Sequence, residues 1–268
     1  AAEVLMHPME EWDEAIAMCA DALDYAETPE EITDCVLLKV DALLGKGATE
    51  EAAKSMTQIP EGPFESPSYA FLIGRAFYEV GNIDKAAPLI EEAARKDPAF
   101  ADAQYYLGLV RDERGDLRGA TEAFLRTRAL DAARASAPWS PSPDGFAAMV
   151  RAVIGRLDAL LARYVREADV YVVDVPGAEL VVDGVDPRAL LIVDQPPAMS
   201  AAGGASITDL GELTTPKMRV FVYQRNVERA AGVLEAMEDE LTSALEREIT
   251  SVFLEKDPGP SPPKHQLN

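Results

Sequence analysis

The sequence predicts an α-helical repeat array over about the first 135 residues, followed by a small domain that combines helices and strands. Small residues recur at an offset of 34 in the first half of the chain. A stretch rich in Pro, Ser and Gly follows at 136–145, and short β-branched runs then alternate with long amphipathic runs. The chain of 268 residues therefore divides into two folded parts joined by a linker.

Two sets of small residues share the 34-residue offset: Gly47, Gly81 and Gly115, and Ala52, Ala86 and Ala120. Each glycine lies between two amphipathic runs, so we expect it to take a positive φ and end the first helix of a pair. The alanines lie where we expect the two helices of a pair to approach closely. Pro98 then separates one pair from the next, because proline cannot donate a hydrogen bond inside a helix.

This arrangement resembles the tetratricopeptide repeat, on the spacing of Gly74, Phe77, Gly81, Ala86, Ile90, Ala93 and Pro98. The resemblance is specific over 67–132. It is weaker over 33–64, where Val40 stands at the place held by Gly74 and Phe64 at that of Pro98. The run 11–28 resembles the second helix of a further unit, which gives about three and a half repeats over 1–135. The resemblance implies a helical solenoid that binds a protein or peptide.

In this family the first helix of each unit lines the inward, partner-binding face. The corresponding positions here are Asp34, Leu37, Asp41, Phe71, Arg75, Tyr78, Glu79, Asp102, Tyr105, Leu109, Asp112 and Glu113. Aromatic side chains flanked by carboxylates imply a partner with apolar anchors and basic residues. The alternative is that the aromatic residues only pack between helices. The subclass that grips a carboxylate terminus with lysine and asparagine does not fit this acidic set.

After the linker the sequence predicts a small α+β module. Apolar residues at helical spacing predict one helix over 146–167, from Phe146 to Tyr164. Short runs bounded by turn residues predict strands at 169–175, 179–184, 189–194 and 218–224. A second long helix is expected over 226–256, with Leu234, Met237, Leu241, Leu245, Glu248 or Ile249, and Val252 as its apolar stripe. The loop 195–216 and the Pro-rich tail 259–268 are expected to be mobile.

This order, with the strings VYVVDVP and RVFVYQRN, resembles small bacterial zincin-like metallopeptidases over 146–258. In that family the last helix carries HExxH, in which two imidazoles at i and i+4 hold Zn²⁺ and the glutamate acts as general base. The motif falls on Arg247, Glu248 and Ser251, with its glycine at Leu254 and its downstream acid at Asp257. The resemblance therefore implies a degenerate module without a metal, a cofactor or catalysis.

Three functions remain open at this point. The leading one is a non-catalytic adaptor that binds protein partners. The second is a hydrolase that uses carboxylates alone or with a hard cation, through Glu248, Asp257 and Glu255. The third is a regulator or inhibitor of an active protease. The structural alternative for Glu248 is an ion pair with a nearby arginine, and for Asp257 a role at the helix end.

Composition limits the other possibilities. The net charge is −22, and both 1–140 and 141–268 are acidic, so nucleic acid binding is not expected. Only His7 and His265 occur, one near each end, which excludes catalysis by an internal histidine. Cys19 and Cys35 are expected to be buried thiols. No apolar run spans a membrane and no targeting signal is visible, so a cytoplasmic location is expected. The oligomeric state stays open.

Overall fold

The computed structural model describes Ala2, Met6 and residues 11–62, 64, 66–194 and 217–253. The chain forms two compact units, Ala1–Thr127 and Arg128–Asn268. The division falls inside a helix, a few residues before the boundary expected near 135. Several expectations lie outside the described residues, namely those for His7, His265, Leu254, Glu255, Asp257, the loop 195–216 and the tail 259–268.

The helices of the first unit follow the expected pairing. They are α1 (Trp12–Tyr25), α2 (Pro29–Gly45), α3 (Thr49–Ser55), α4 (Pro67–Glu79), α5 (Ile83–Lys96), α6 (Ala101–Glu113) and α7 (Leu117–Ala133), with a 3₁₀ turn at Met56–Gln58. Gly47, Gly81 and Gly115 have φ values of 80°, 79° and 78° between the helices of three successive pairs. The prediction of a positive φ at these glycines is confirmed.

The same hydrogen bond closes each of these turns. The N–H that follows the glycine donates to the carbonyl five residues earlier, from Asn82 to Phe77 at 2.8 Å and from Asp116 to Arg111 at 2.9 Å. This pattern ends a helix by satisfying its last carbonyl groups. Because the turn is repeated, each pair of helices reverses direction in the same way.

Small residues allow the helices of a pair to approach closely. Ala86 is completely buried, as the sequence predicted. A Cβ atom added to Gly74 would lie 2.8 Å from Cγ1 of Ile90, and one added to Gly108 would lie 2.3 Å from Cε1 of Phe124. Both distances are far below ordinary van der Waals contact. The helix surfaces at these two positions therefore leave no room for a side chain.

The second unit contains a three-stranded sheet packed against helices. Its elements are α8 (Pro143–Arg156), α9 (Ala159–Val165), β1 (Asp169–Val173), α10 (Ala178–Val182), β2 (Leu191–Asp194), β3 (Arg219–Tyr223), α11 (Gln224–Ala231) and α12 (Met237–Phe253), with a 3₁₀ turn at Leu234–Ala236. The strand order is β1–β3–β2, with β1 parallel and β2 antiparallel to β3. Phe146, Val150, Val220, Leu241 and Leu245 form the centre of the core.

The strand predicted at 179–184 is wrong, because most of these residues belong to the short helix α10 (Ala178–Val182) or to the turn that follows it. Val185 donates its backbone N–H to the carbonyl of Leu180, and Gly184 closes the turn at φ 94°. A short apolar run does not distinguish a strand from one helical turn by periodicity. The other three predicted strands are present, with shorter bounds.

The two long predicted helices are each interrupted. The first breaks at Leu157, where the side chain of Asp158 accepts a hydrogen bond from the N–H of Leu160 and starts α9. The second breaks at Gly232, which has φ 69° and ends α11. These breaks change the apolar stripe: Leu234 and Val252 are exposed, while Met237, Leu241, Leu245 and Ile249 are completely buried.

No helix in the described part of the chain is both long and apolar enough to cross a membrane.

The close approach at Gly108 can be tested with one methyl group. We expect Gly108→Ala to lower the free energy of unfolding by about 1–3 kcal/mol, because the buried ring of Phe124 must move. Gly155→Ala in α8 is the matched control, since a Cβ atom there meets nothing within 4 Å. The control should gain up to about 1 kcal/mol from helix propensity. Urea denaturation of both variants measures the difference, and equal stabilities would contradict the packing.

Candidate interaction surface

The first helices of three successive pairs, α2, α4 and α6, carry the twelve residues predicted for the inward face. Side chains link equivalent or nearly equivalent positions on neighbouring helices. Nη2 of Arg75 lies 3.2 Å from Oδ1 of Asp41, and the Tyr69 hydroxyl donates to Oδ1 of Asp34 at 3.2 Å. Carboxylates of α2 therefore lie beside α4, as the 34-residue period requires.

Three of the twelve residues are buried. Phe71, Tyr105 and Leu109 are 4%, 1% and 1% exposed. Phe71 packs edge-on against Phe100 and Tyr106, with ring centroids 4.8 and 5.4 Å away. The structure therefore gives these three residues a packing role in place of the expected contact with a partner.

Tyr78 stays partly exposed at an acidic cluster on α4 and α6. Its ring packs edge-on against Tyr106 at 5.6 Å, and the Tyr106 hydroxyl donates to Oε1 of Glu79 at 2.5 Å. Burial is the largest cause that raises the pKa of Tyr78 to about 12, and the nearby carboxylates of Glu113, Glu79 and Asp112 contribute to the same shift. The phenol of Tyr78 is therefore neutral at physiological pH and surrounded by negative charge.

The remaining polar members of the set are strongly acidic. Asp34, Asp41, Asp102 and Glu113 are exposed, while Glu79 and Asp112 are partly exposed. Arg75 is the one base among the twelve, and it pairs with Asp41. We call Asp34, Asp41, Glu79, Asp102, Asp112 and Glu113, with Tyr78, the acidic face.

Sequence reasoning missed two tyrosines that support the acidic face. Tyr69 donates to Asp34, and Tyr106 donates to Glu79 while it packs on Tyr78. The tyrosines are absent from the family positions that line the inward face. Their position one or two residues from such a site, on the same helix, is the signal that could have identified them.

Three of the positions that the metallopeptidase resemblance singled out, Arg247, Glu248 and Ser251, lie on α12 of the second unit. Arg247 and Ser251 are exposed, and Glu248 is partly buried. Burial raises the pKa of Glu248, while a hydrogen bond from the N–H of Val193 and the charge of Arg247 act in the opposite direction. Asp257 lies outside the described residues, so its position relative to Glu248 stays a prediction. Within the described residues, no group of three or more His, Cys, Asp or Glu side chains could hold a metal ion.

The two cysteines are free thiols in α1 and α2. Cys19 is buried, as expected, and Cys35 is partly buried. Burial raises the pKa of both thiols, so both are less reactive than an exposed cysteine.

Comparison with known proteins supports the repeat assignment. The tetratricopeptide repeat family profile matches residues 71–138, a quarter of the chain. This part of the chain carries tetratricopeptide repeats. No curated protein matches the chain in sequence.

Two solved structures of MamA are similar to the chain. One is 23% identical in sequence. The match covers 44% of this chain and 68% of that MamA chain, with a TM-score of 0.37. The other is 21% identical in sequence. The match covers 49% of this chain and 69% of that MamA chain, with a TM-score of 0.40.

The partly buried Glu248 makes stability depend on pH. Its pKa is raised in the folded state, so the wild-type protein loses stability as pH rises from about 4.5 through the folded pKa. Glu248→Gln removes this loss and can still accept a hydrogen bond from Val193. We expect the variant to gain on the order of 1 kcal/mol relative to wild type between acidic and neutral pH. Urea denaturation across this range measures the gain.

The control for this measurement is Glu246→Gln, which removes a carboxylate from an exposed position on the same helix. A gain of equal size in both variants would show that general charge on α12, and not the burial of Glu248, causes the pH dependence.

Proposed function

We propose that the protein is a non-catalytic adaptor or regulator whose tetratricopeptide repeats bind a basic segment of a partner protein at the acidic face. The repeats themselves support a role in protein–protein interaction. The observation that carries the finer proposal is the acidic cluster around Tyr78, where three carboxylates lie close enough to affect one phenol.

The acidic face contains six carboxylates, and Arg75 is the one base among the twelve residues predicted for the inward face. Glu79, Asp112 and Glu113 all lie close enough to Tyr78 to raise the pKa of its phenol. Like charges held this close repel one another and lower the stability of the free protein. Lysine or arginine side chains of a partner would relieve this repulsion and would also pack over the face of Tyr78.

For the second unit we propose a metallopeptidase-like module without catalytic activity. The exposed Arg247 and Ser251 replace both imidazoles of the motif, which supports this proposal. The carboxylate of Glu248 accepts a hydrogen bond from the backbone of β2, which disfavours the carboxylate-dependent hydrolase with Asp257. A regulator or inhibitor of an active protease remains the alternative, since it would use the same surfaces as an adaptor.

The acidic face can be tested with designed peptides. One labelled peptide alternates lysine with leucine and tyrosine, and a second replaces every lysine with glutamate. We expect the basic peptide alone to bind, with an affinity that falls as salt is added. Glu113→Gln should weaken the binding of the basic peptide about two- to fivefold, which is the usual effect of one exposed charge. Fluorescence anisotropy measures both affinities.

Glu246→Gln is the matched control, because it makes the same charge change at an exposed position in the second unit. Equal weakening by both substitutions would mean that the peptide responds to net charge, and it would contradict binding at the acidic face.

The metallopeptidase-like proposal can be tested by restoring the imidazoles. We expect no stoichiometric zinc in the wild-type protein after dialysis against a mild chelator. The double variant Arg247→His/Ser251→His should acquire zinc binding, because two imidazoles at i and i+4 lie on one helical face. Metal analysis and zinc titration measure the result.

A second histidine pair, Arg118→His/Glu122→His on α7, has the same spacing on an exposed helix. The pair on α12 should bind zinc at least tenfold more tightly if the unit supplies further ligands, as the metallopeptidase likeness requires. Equal affinities would contradict that likeness, and zinc in the wild-type protein would contradict loss of the metal site.

A further inference from the structure

The stretch expected to be a linker is fixed to the second unit by buried polar side chains. Nε2 of Gln224 donates to the carbonyl of Pro141 at 2.8 Å. The hydroxyl of Ser140 donates to Oε1 of Glu228 at 2.5 Å, and Gln224 donates to the same oxygen at 2.8 Å. Trp139 packs against the core of the unit. This stretch is therefore part of the fold and forms a wall beside α11.

A cavity of about 430 Å³ lies between this wall and the segment from α11 to Gly232. Its ionisable and aromatic lining consists of Asp131, Arg134, Trp139, Arg225, Glu228 and Arg229. Three guanidinium groups thus line one cavity of a chain whose net charge is −22. The volume falls within the range of small-molecule binding sites.

The two carboxylates of the cavity are already engaged. Asp131 accepts from Nε of Arg188 at 3.0 Å, and this pair is almost completely buried. The buried Glu228 accepts hydrogen bonds from two neutral donors, Ser140 and Gln224. Asp131 and Oε1 of Glu228 are therefore held by partners other than Arg134 and Arg225.

The arginines differ in their own contacts. Nε of Arg225 lies 3.5 Å from Oδ2 of Asp174, and its Nη1 donates to the carbonyl of Arg134. Among the described residues, no ion pair or hydrogen bond involves the guanidinium group of Arg134 itself. Arg134 is exposed at the cavity, so it can turn toward a ligand without breaking a contact within the described fold.

We propose that this cavity binds a small oxyanion that carries a planar ring, namely an aromatic or heteroaromatic carboxylate or phosphate. A guanidinium group matches the two oxygens of a carboxylate or phosphate with two parallel hydrogen bonds. The partly exposed ring of Trp139 supplies a flat apolar surface for the ring of the ligand. This site belongs to the second unit alone and does not depend on peptide binding by the repeats.

Trp139 provides the readout. The chain contains two tryptophans, so Trp12→Phe leaves Trp139 as the single tryptophan. Its fluorescence can be excited at wavelengths that tyrosine does not absorb. In this background we titrate phenyl phosphate, benzoate and the neutral analogue benzamide at constant ionic strength. We expect phenyl phosphate and benzoate to change the fluorescence of Trp139, with dissociation constants on the order of a millimolar or tighter. Benzamide should have no effect, and inorganic phosphate should bind more weakly because it lacks the ring.

Arginine variants assign the binding to the cavity. Arg134→Gln and Arg229→Gln should each weaken the binding of phenyl phosphate about tenfold, since each removes one charge-assisted contact. Arg151→Gln, at an exposed position of α8 outside the cavity, is the matched control and should leave the affinity unchanged. A preference for phenyl phosphate over benzoate would identify a phosphate ligand, and the reverse a carboxylate.

Two results would overturn the proposal. One is no response of Trp139 to either anion at about ten times the expected dissociation constant. The other is equal weakening by Arg134→Gln, Arg229→Gln and Arg151→Gln, which would mean that the anions respond to overall charge. Circular dichroism and thermal melting of each variant separate loss of binding from loss of folding.

Discussion

The first unit depends on the distance at which paired helices pack. At Gly74 and Gly108 the neighbouring helix leaves no space even for a Cβ atom, and Ala86 is completely buried. Because the positive-φ glycines end the first helix of each pair at the same point, this close contact recurs every 34 residues. The 34-residue period thus fixes both the turn and the register of the helices. It therefore also determines which side chains of neighbouring first helices lie side by side.

The acidic face follows from this register. Tyr78 and Asp112 occupy equivalent positions in successive repeats, as do Glu79 and Glu113, so adjacent helices bring their carboxylates together. An arrangement that served stability alone would alternate charges, as Asp41 and Arg75 do. The cluster around Tyr78 instead carries a local cost in free energy. Departures of this kind concentrate at functional surfaces, which is why the proposal rests on this cluster and not on the buried aromatic residues.

The sequence predicted the repeated turns and three of the four strands, and it missed features that depend on a single residue. The turns at Gly81 and Gly115 were predictable because the same residue recurs in the same context. The break at Gly232 and the helix start at Asp158 each depend on a single residue inside an otherwise continuous apolar pattern. The burial of Phe71 was equally invisible, since an aromatic residue on a first helix can face a partner or its neighbours. Only three-dimensional packing decides between these two roles.

The contacts of the predicted linker could not be read from the sequence for a related reason. Local composition predicts only the conformation that a segment favours on its own. A run of Pro and Ser favours turns and loops over helices and strands. In this protein the polar groups of the segment bind the side chains of Gln224 and Glu228, which lie more than eighty residues later in the sequence. Such partners cannot be read from local composition. Because the segment is held in place, Trp139 has a fixed position beside α11. The stretch predicted as a linker thereby forms one wall of a cavity that three arginines line, in a chain whose net charge is −22.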